Sequence, residues 1–277
     1  MSANPESLAP RPVRGRAPSV TSDRWATSWL ARAVAVVLLV AGGLAYADWV
    51  LQLFLPVRAD VMTSFISELG AVGQPHHELF RAADVTGGAL SAAGGVAAWL
   101  YTRRWAATWS ALILLGACVI LESILPLGET LTFAAVLPKA GTHLWWKRVS
   151  EPHGVVSFLE TVSFLVLFLS CTAALRRATT REGWRRLLAS LGLAAVACGI
   201  ADAALTASLL MSGHASVLGL VQRIEVTLTA LWLAAAPTWL VTVTGRTHAT
   251  QRDAEKVLTS SSEPSERASV PATQRRG

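Results

Sequence analysis

The chain has 277 residues, of which 52% are hydrophobic and only 15% are charged. A soluble domain usually has about a quarter of its residues charged, and the charges here crowd into the two ends and the gaps between long apolar runs. This pattern excludes an ordinary water-soluble fold and indicates a protein whose main solvent is a lipid bilayer.

Six apolar runs are long enough to cross a membrane, because a spanning helix needs about 20 mostly apolar residues. They lie at 33–55, 79–101, 105–127, 155–175, 187–211 and 218–243. Backbone polar groups in lipid must be satisfied within the segment, and none of these runs alternates as a strand does. The predicted fold is therefore all-α, a polytopic membrane bundle of six transmembrane helices that occupies residues 31–245.

The basic residues predict the orientation of this bundle. Eighteen of the 24 Lys and Arg residues lie in the N-terminal segment, the second and fourth loops and the C-terminal tail, whereas four lie in the loops on the other side. Because cytoplasmic loops carry an excess of Lys and Arg, both termini are predicted to be cytoplasmic. The expected location is the plasma membrane, with two longer loops, 56–78 and 128–152, outside.

The ends and loops carry further expectations. Residues 1–30 and 246–277 are poor in large apolar side chains and are predicted to be disordered cytoplasmic segments. Residues 64–70 are expected to form a short interfacial helix closed by Gly70, and residues 144–147 an interfacial anchor. The sequence Ala45-Tyr46-Ala47 resembles a signal-peptide cleavage site, but the apolar run continues past it, which favours an uncleaved anchor.

Every predicted span carries a carboxylate in it or beside it. At a rise of 1.5 Å per residue, all six lie roughly 8 to 14 Å below the outer edge of the membrane, and none lies in the inner half. Charged side chains inside membranes are rare and usually face the bundle interior or water. We therefore expect one polar layer near the outer leaflet. The six are Asp48, Asp84, Glu122, Glu160, Asp202 and Glu225.

Helical spacing places other polar residues on the same faces, since positions three, four and seven apart stack. His153, Ser157 and Glu160 share one strip, and Cys198, Asp202 and Thr206 share another. We expect an outward-open pocket, which His76, His77 and Glu78 would also enter. The candidate ligand-binding residues are Asp48, Ser64, Glu68, Arg81, Asp84, Glu122, His153, Ser157, Glu160, Asp202, Gln222, Arg223 and Glu225.

A purely structural role for the same charges is the main alternative. Two arginines lie within the spans, and pairing with carboxylates would fix the helix register without any ligand. The candidate pairs are Arg81 with Asp84 or Glu68, and Arg223 with Glu160 or Asp202.

Three functions are compatible with this pattern. The first is a pocket that binds a lipid headgroup, a cation or a proton. Carboxylates outnumber arginines there, which favours a cationic or zwitterionic group. The second is a metal-dependent intramembrane hydrolase with ligands from His153, Asp84, Glu160 and Asp202. It is short of imidazoles, so we predict neither a metal nor another cofactor. The third is an accessory subunit without a ligand.

Nucleic acid is not an expected partner, because no basic patch is interleaved with aromatic residues. The three cysteines are widely separated in apolar runs and suggest no disulfide framework. The sequence predicts neither a set of catalytic residues nor an oligomeric state.

Several short motifs resemble one known family. The stretch Ser64-Phe65-Ile66-Ser67-Glu68-Leu69-Gly70, followed by Leu79-Phe80-Arg81 and a Gly-rich second span, is similar to the bacterial membrane family catalogued as domain of unknown function 998. Leu125-Pro126, His153 and the stretch 219–223 resemble it as well. Members tend to carry an acidic residue just past the proline, and here Gly128-Glu129 follows Leu127. The resemblance implies a multi-helix membrane protein over roughly residues 30–245, without a settled activity.

Overall fold

The computed structural model describes residues 21–125, 152–178, 182–212 and 217–261. These residues form six α-helices and short 3-10 turns, and no strand occurs among them. Each helix overlaps one of the six apolar runs, as long uninterrupted hydrophobic sequence in lipid requires. The helices are α1 (Thr21–Ala45), α2 (His77–Tyr101), α3 (Ala106–Ile124), α4 (Pro152–Ala178), α5 (Glu182–Ser212) and α6 (Leu218–Ser261).

Four of these helices have the length and hydropathy of a membrane span. They provide the segments Arg103–Ile124, Pro152–Ala178, Glu182–Ser208 and Leu218–Thr244. The apolar part of α1, Trp29–Ala45, is shorter. The helix α2 is not among these segments, and Gly and Ala make up much of its sequence. The fold is thus a helical bundle whose apolar helices suit a bilayer.

The first predicted span is interrupted, which corrects the expectation of one helix over 33–55. The helix α1 ends at Ala45, and a 3-10 helix, Asp48–Leu53, follows. The break turns the polar side chain of Gln52 inward, where it is buried and its amide donates to the Ala59 carbonyl at 2.7 Å. A buried amide needs such partners, so the polar residues after Ala45 disfavour continuation of a lipid-facing helix.

Helical backbone also extends into both segments that were predicted to be disordered. The helix α1 begins at Thr21, and α6 continues to Ser261. Residues 248–258 are rich in Ala, Gln, Arg, Glu and Lys, which favour helix even without an apolar face. Residues 1–20 and 262–277, and the anchor expected at 144–147, lie outside the described residues.

The helices pack as a ring that follows the chain order. The pairs α1–α2, α2–α3, α3–α4 and α5–α6 pack along each other, and α6 returns to pack against α1. By contrast, α4 and α5 touch only lightly. The core is centred on the fully buried indoles of Trp109 and Trp232, which donate to the carbonyls of Thr102 and Leu188.

Glycines allow the closest helix approaches, as is common in membrane bundles. A Cβ atom on Gly88 of α2 would lie 2.6 Å from the Gly116 carbonyl oxygen of α3. A Cβ atom on Gly42 of α1 would lie 2.7 Å from the Ser91 amide nitrogen of α2. These approaches bring the polar residues near the ends of α1, α2 and α3 into one region.

Replacing Gly88 with Ala should destabilise the bundle, because α2 and α3 must separate to relieve the contact with Gly116. Overpacking of this kind typically costs about 1–3 kcal/mol. Thermal unfolding of the detergent-purified protein measures the effect. Gly183→Ala is the matched control, since a Cβ atom there meets nothing within 4 Å. Equal unfolding midpoints for the two variants would contradict the packing argument.

Candidate functional site

A cavity of about 450 Å³ lies at the end of the bundle that carries the 56–76 loop. The ends of α1 and α3 and the starts of α2 and α4 meet there, together with the last part of α5 and the first part of α6. All six carboxylates line this cavity, although they come from six different segments of the chain. They are Asp48, Asp84, Glu122, Glu160, Asp202 and Glu225.

Four other predicted site residues line the same cavity, and three do not. Arg81, His153, Ser157 and Gln222 belong to its wall. The other three residues are buried in a neighbouring cluster, in which Ser64 and Glu68 of the 56–76 loop lie near Arg223 of α6. His76 and His77, which were expected to enter the pocket, are not part of the wall; the His77 ring lies 3.0 Å from the Gln74 carbonyl oxygen instead.

One side of the wall is a hydrogen-bonded group on α3 and α4. The Ser157 hydroxyl donates to Glu122 Oε1 at 2.6 Å, and His153 Nε2 lies 3.3 Å from the same oxygen. His153 Nδ1 lies 2.8 Å from the Leu125 carbonyl oxygen. A carbonyl only accepts hydrogen bonds, so Nδ1 carries a proton and the ring is held in place. The other ring nitrogen, Nε2, faces the Glu122 carboxyl group.

The carboxyl groups also contact one another in pairs. Glu160 lies beside Glu122 and accepts a hydrogen bond from the Tyr46 hydroxyl. Asp48 lies beside Asp84 near the start of α2. Two neighbouring carboxylates repel each other, and a cation close to both favours their charged forms.

The other side of the wall lies on α5 and α6. The inner oxygen Oδ1 of Asp202 is buried without a hydrogen-bond partner in the described part of the chain. Glu225 approaches α5 so closely that a Cβ atom on Gly199 would lie 2.6 Å from Glu225 Oε1. Glycine at this position therefore lets the two acidic side chains come near each other. A buried carboxylate oxygen without a donor is an available acceptor for a ligand.

Arg81 is the arginine in this wall, and it does not pair as the structural alternative expects. Its Nε donates to the Ser123 carbonyl at 2.8 Å. Within the described ranges, it forms no ion pair with Asp84 or Glu68 within 4.0 Å. The two terminal nitrogens of the guanidinium have no hydrogen-bond partner in those ranges either, so they are available inside the cavity.

Arg223 has a different role from the one predicted. It is only 1% exposed and donates to neutral oxygens: Gln52 Oε1 at 2.7 and 3.0 Å, and the carbonyls of Ser64 and Gly219, each at 2.9 Å. The expected pairing with Glu160 or Asp202 is therefore not observed. The planar guanidinium instead fastens the 56–76 loop to the start of α6.

The same loop covers the cavity. Phe65, Leu69 and Gly70 contribute to the wall, and the Ile66 amide donates to Gln222 Oε1 at 3.0 Å. The residues 66–70 form the short helix that the sequence predicts, here a 3-10 helix. Gln222 also interacts with Asp202, so it joins the loop to the acidic wall of α5.

Several cavity residues were missed by the sequence analysis. They are Tyr46, Ser123, Thr161 and Thr229. Two of them had a usable signal, because Thr161 follows Ser157 by four residues and Thr229 follows Glu225 by four, which places each pair on one helix face. Tyr46 had none, since it lies where the predicted first span should have continued.

No group of three or more His, Cys, Asp or Glu residues in the described ranges is arranged to hold a metal ion. The ligand set suggested for a hydrolase, which included His153, is therefore not assembled as a metal centre there. The His153 ring is already engaged at both nitrogens, one with the Leu125 carbonyl and the other with Glu122.

Comparison with known proteins supports the family resemblance. The chain belongs to the family described as protein of unknown function (DUF998), whose model matches residues 39–239. This range includes all the residues named here as lining the cavity. No curated protein and no solved structure gives a significant match.

Glu68 provides a pH-dependent test of the loop. Its side chain is 5% exposed and accepts a bond from the Phe65 amide at 3.3 Å. Burial raises the pKa of Glu68 above its ordinary value, although Arg223 opposes the shift. The folded loop thus binds this proton more tightly than the unfolded chain does. Its contribution to stability is greatest below the ordinary glutamate pKa and is lost as pH rises through the raised value.

We expect Glu68→Gln to remove this part of the pH dependence, because glutamine stays neutral. Thermal unfolding midpoints between about pH 4 and pH 8 test it. The exposed Glu78→Gln replacement in α2 is the control and should keep the wild-type pH profile. If Glu68→Gln and the wild type had parallel profiles, the burial argument would fail.

Proposed function

We propose that this protein spans the plasma membrane six times with both termini in the cytoplasm, and that its acidic cavity faces outward and binds a ligand with a cationic group. Four helices with the hydropathy of spans support the membrane placement. The helices α1 and α2 pack between α6 and α3 in the same ring, which favours spanning for them also. The excess of Lys and Arg at the opposite end supports the orientation.

Reporter fusions test the topology. Alkaline phosphatase fused at the C-terminus should be inactive, whereas insertion after Val72, an exposed position in the 56–76 loop, should give activity. A fluorescent protein that folds only in the cytoplasm should give the opposite pattern. Phosphatase activity at the C-terminus would overturn the proposed orientation.

The observation that carries the binding proposal is the convergence of six carboxyl groups on one cavity with a single arginine in its wall. Leaving such groups in the membrane is expensive unless they are paired or meet water or a ligand. Pairing with the two arginines does not account for them within the described residues, because Arg81 and Arg223 both bond to neutral oxygens. A cation in the cavity would satisfy the Asp202 oxygen that has no hydrogen-bond partner among the described residues, and it would offset the repulsion between neighbouring carboxylates.

The other two candidate functions find less support. A metal-dependent hydrolase needs a ligand group that the described residues do not assemble. The hypothesis of an accessory subunit without a ligand does not explain why the carboxyl groups converge on one cavity. It predicts that the cavity binds nothing, so replacing its carboxylates would change no binding.

Ligand titration tests the proposal. Ethanolamine is the probe, titrated into the purified protein in nanodiscs by calorimetry. The double replacement Asp202→Asn and Glu225→Gln should weaken its binding at least about tenfold, or about 1.4 kcal/mol. Glu182→Gln is the control, since it changes charge at an exposed position at the other end of α5. It should bind ethanolamine as the wild type does.

Two results would contradict the proposal. One is the absence of ethanolamine binding to the wild type. The other is unchanged binding by a double variant whose unfolding midpoint equals that of the wild type.

A further inference from the structure

The ring of helices has one weak junction, between α4 and α5. Near the cytoplasmic ends the two helices do meet: Phe168 is only 8% exposed, and a Cβ atom on Gly192 would lie 2.5 Å from its ring carbon Cδ2. The same phenylalanine packs edge-on against Trp232 of α6, with ring centroids 5.6 Å apart. The bundle is therefore closed at this level.

The junction opens toward the cavity. Thr161 lies seven residues before Phe168, on the same face of α4. Yet Thr161 is exposed, and it also lines the cavity. The cavity wall that α5 provides, at Asp202 and Thr206, is likewise only partly buried. The gap between α4 and α5 thus connects the cavity with the side of the bundle.

The surroundings of this gap are apolar. Phe158 and Leu165, one turn on either side of Thr161, are 66% and 43% exposed. Exposed apolar side chains on a membrane helix face acyl chains. A cavity of about 450 Å³ accommodates a polar headgroup but not the chains of a phospholipid as well. The chains of such a ligand can leave only through an opening toward lipid, which the gap provides.

The charges of the cavity fit a zwitterion better than a simple cation. Arg81 places a guanidinium in the wall with both terminal nitrogens free of partners in the described ranges. This group repels a bare cation but binds a phosphate, as arginine commonly does. The carboxyl groups around it bind an ammonium.

We propose that the ligand is a zwitterionic phospholipid that enters sideways between α4 and α5. Its phosphate binds Arg81, its ammonium lies among the carboxyl groups, and its acyl chains remain in the gap beside Thr161. This inference rests on the proposed function, because it names the ligand of the same cavity.

The test uses nanodiscs that contain equal amounts of phosphatidylethanolamine and phosphatidylglycerol, with native mass spectrometry of the lipid retained by the full chain. The wild type should retain phosphatidylethanolamine in preference. Leu165→Trp, one turn from Thr161 and outside the cavity wall, should fill the gap and reduce this retention at least about tenfold, while free ethanolamine still binds. Val166→Trp is the matched control, because Val166 is 47% exposed on the opposite side of α4, and it should retain the lipid as the wild type does.

Arg81→Gln tests the phosphate contact separately. This variant should lose phosphatidylethanolamine retention but bind free ethanolamine at least as tightly as the wild type, since a repelling charge is gone. Unchanged retention of the lipid by Arg81→Gln would overturn the assignment of the phosphate.

The outcomes separate the two proposals. Ethanolamine binding without preferential retention of phosphatidylethanolamine would refute the lipid ligand and leave the cation-binding cavity in place. If the wild type neither bound ethanolamine nor retained phosphatidylethanolamine, the cation-binding cavity itself would be refuted. If Leu165→Trp retained the lipid normally, or lost ethanolamine to the same extent as lipid, access through the gap would be refuted.

Discussion

The cost of placing charge in hydrocarbon organises this protein. Each helix carries an acidic residue in or beside its apolar stretch, and a lipid-facing carboxyl group there would cost several kcal/mol. The bundle turns all six toward one cavity at one end, where they meet hydroxyl, amide and imidazole groups. The position of the cavity, the course of the helix ends and the cover over it all follow from that constraint.

Much of the helical architecture could be predicted from the sequence, because apolar runs of this length have few alternatives in lipid. Counting residues along each span also predicted that the carboxylates would lie near one another, and Glu122 and Glu160, which belong to different helices, line the same cavity. What could not be predicted were partners set by the tertiary fold. Arg223 was expected to pair with a carboxylate. Because α1 breaks after Ala45, the amide oxygen of Gln52 lies next to Arg223 and accepts its hydrogen bonds instead.

The limits of helix prediction have equally specific causes. The helix α6 continues to Ser261, beyond the predicted end, through a stretch that contains several residues of high helical propensity. The uneven packing around the ring of helices could not be predicted from the sequence either. The close approach at Gly88 and the weak junction beside Thr161 depend on which faces meet, and both faces look alike in an apolar sequence.

The attachment of the 56–76 loop through Arg223 has a consequence for how the cover behaves. Salt weakens interactions between exposed charges, because counterions screen them over about 10 Å at 0.1 M. The hydrogen bonds of Arg223 run to neutral oxygens and are buried away from solvent. The ionic strength of the medium should therefore hardly change their strength. The attachment of the 56–76 loop to α6 should thus hold alike in dilute and in saline surroundings.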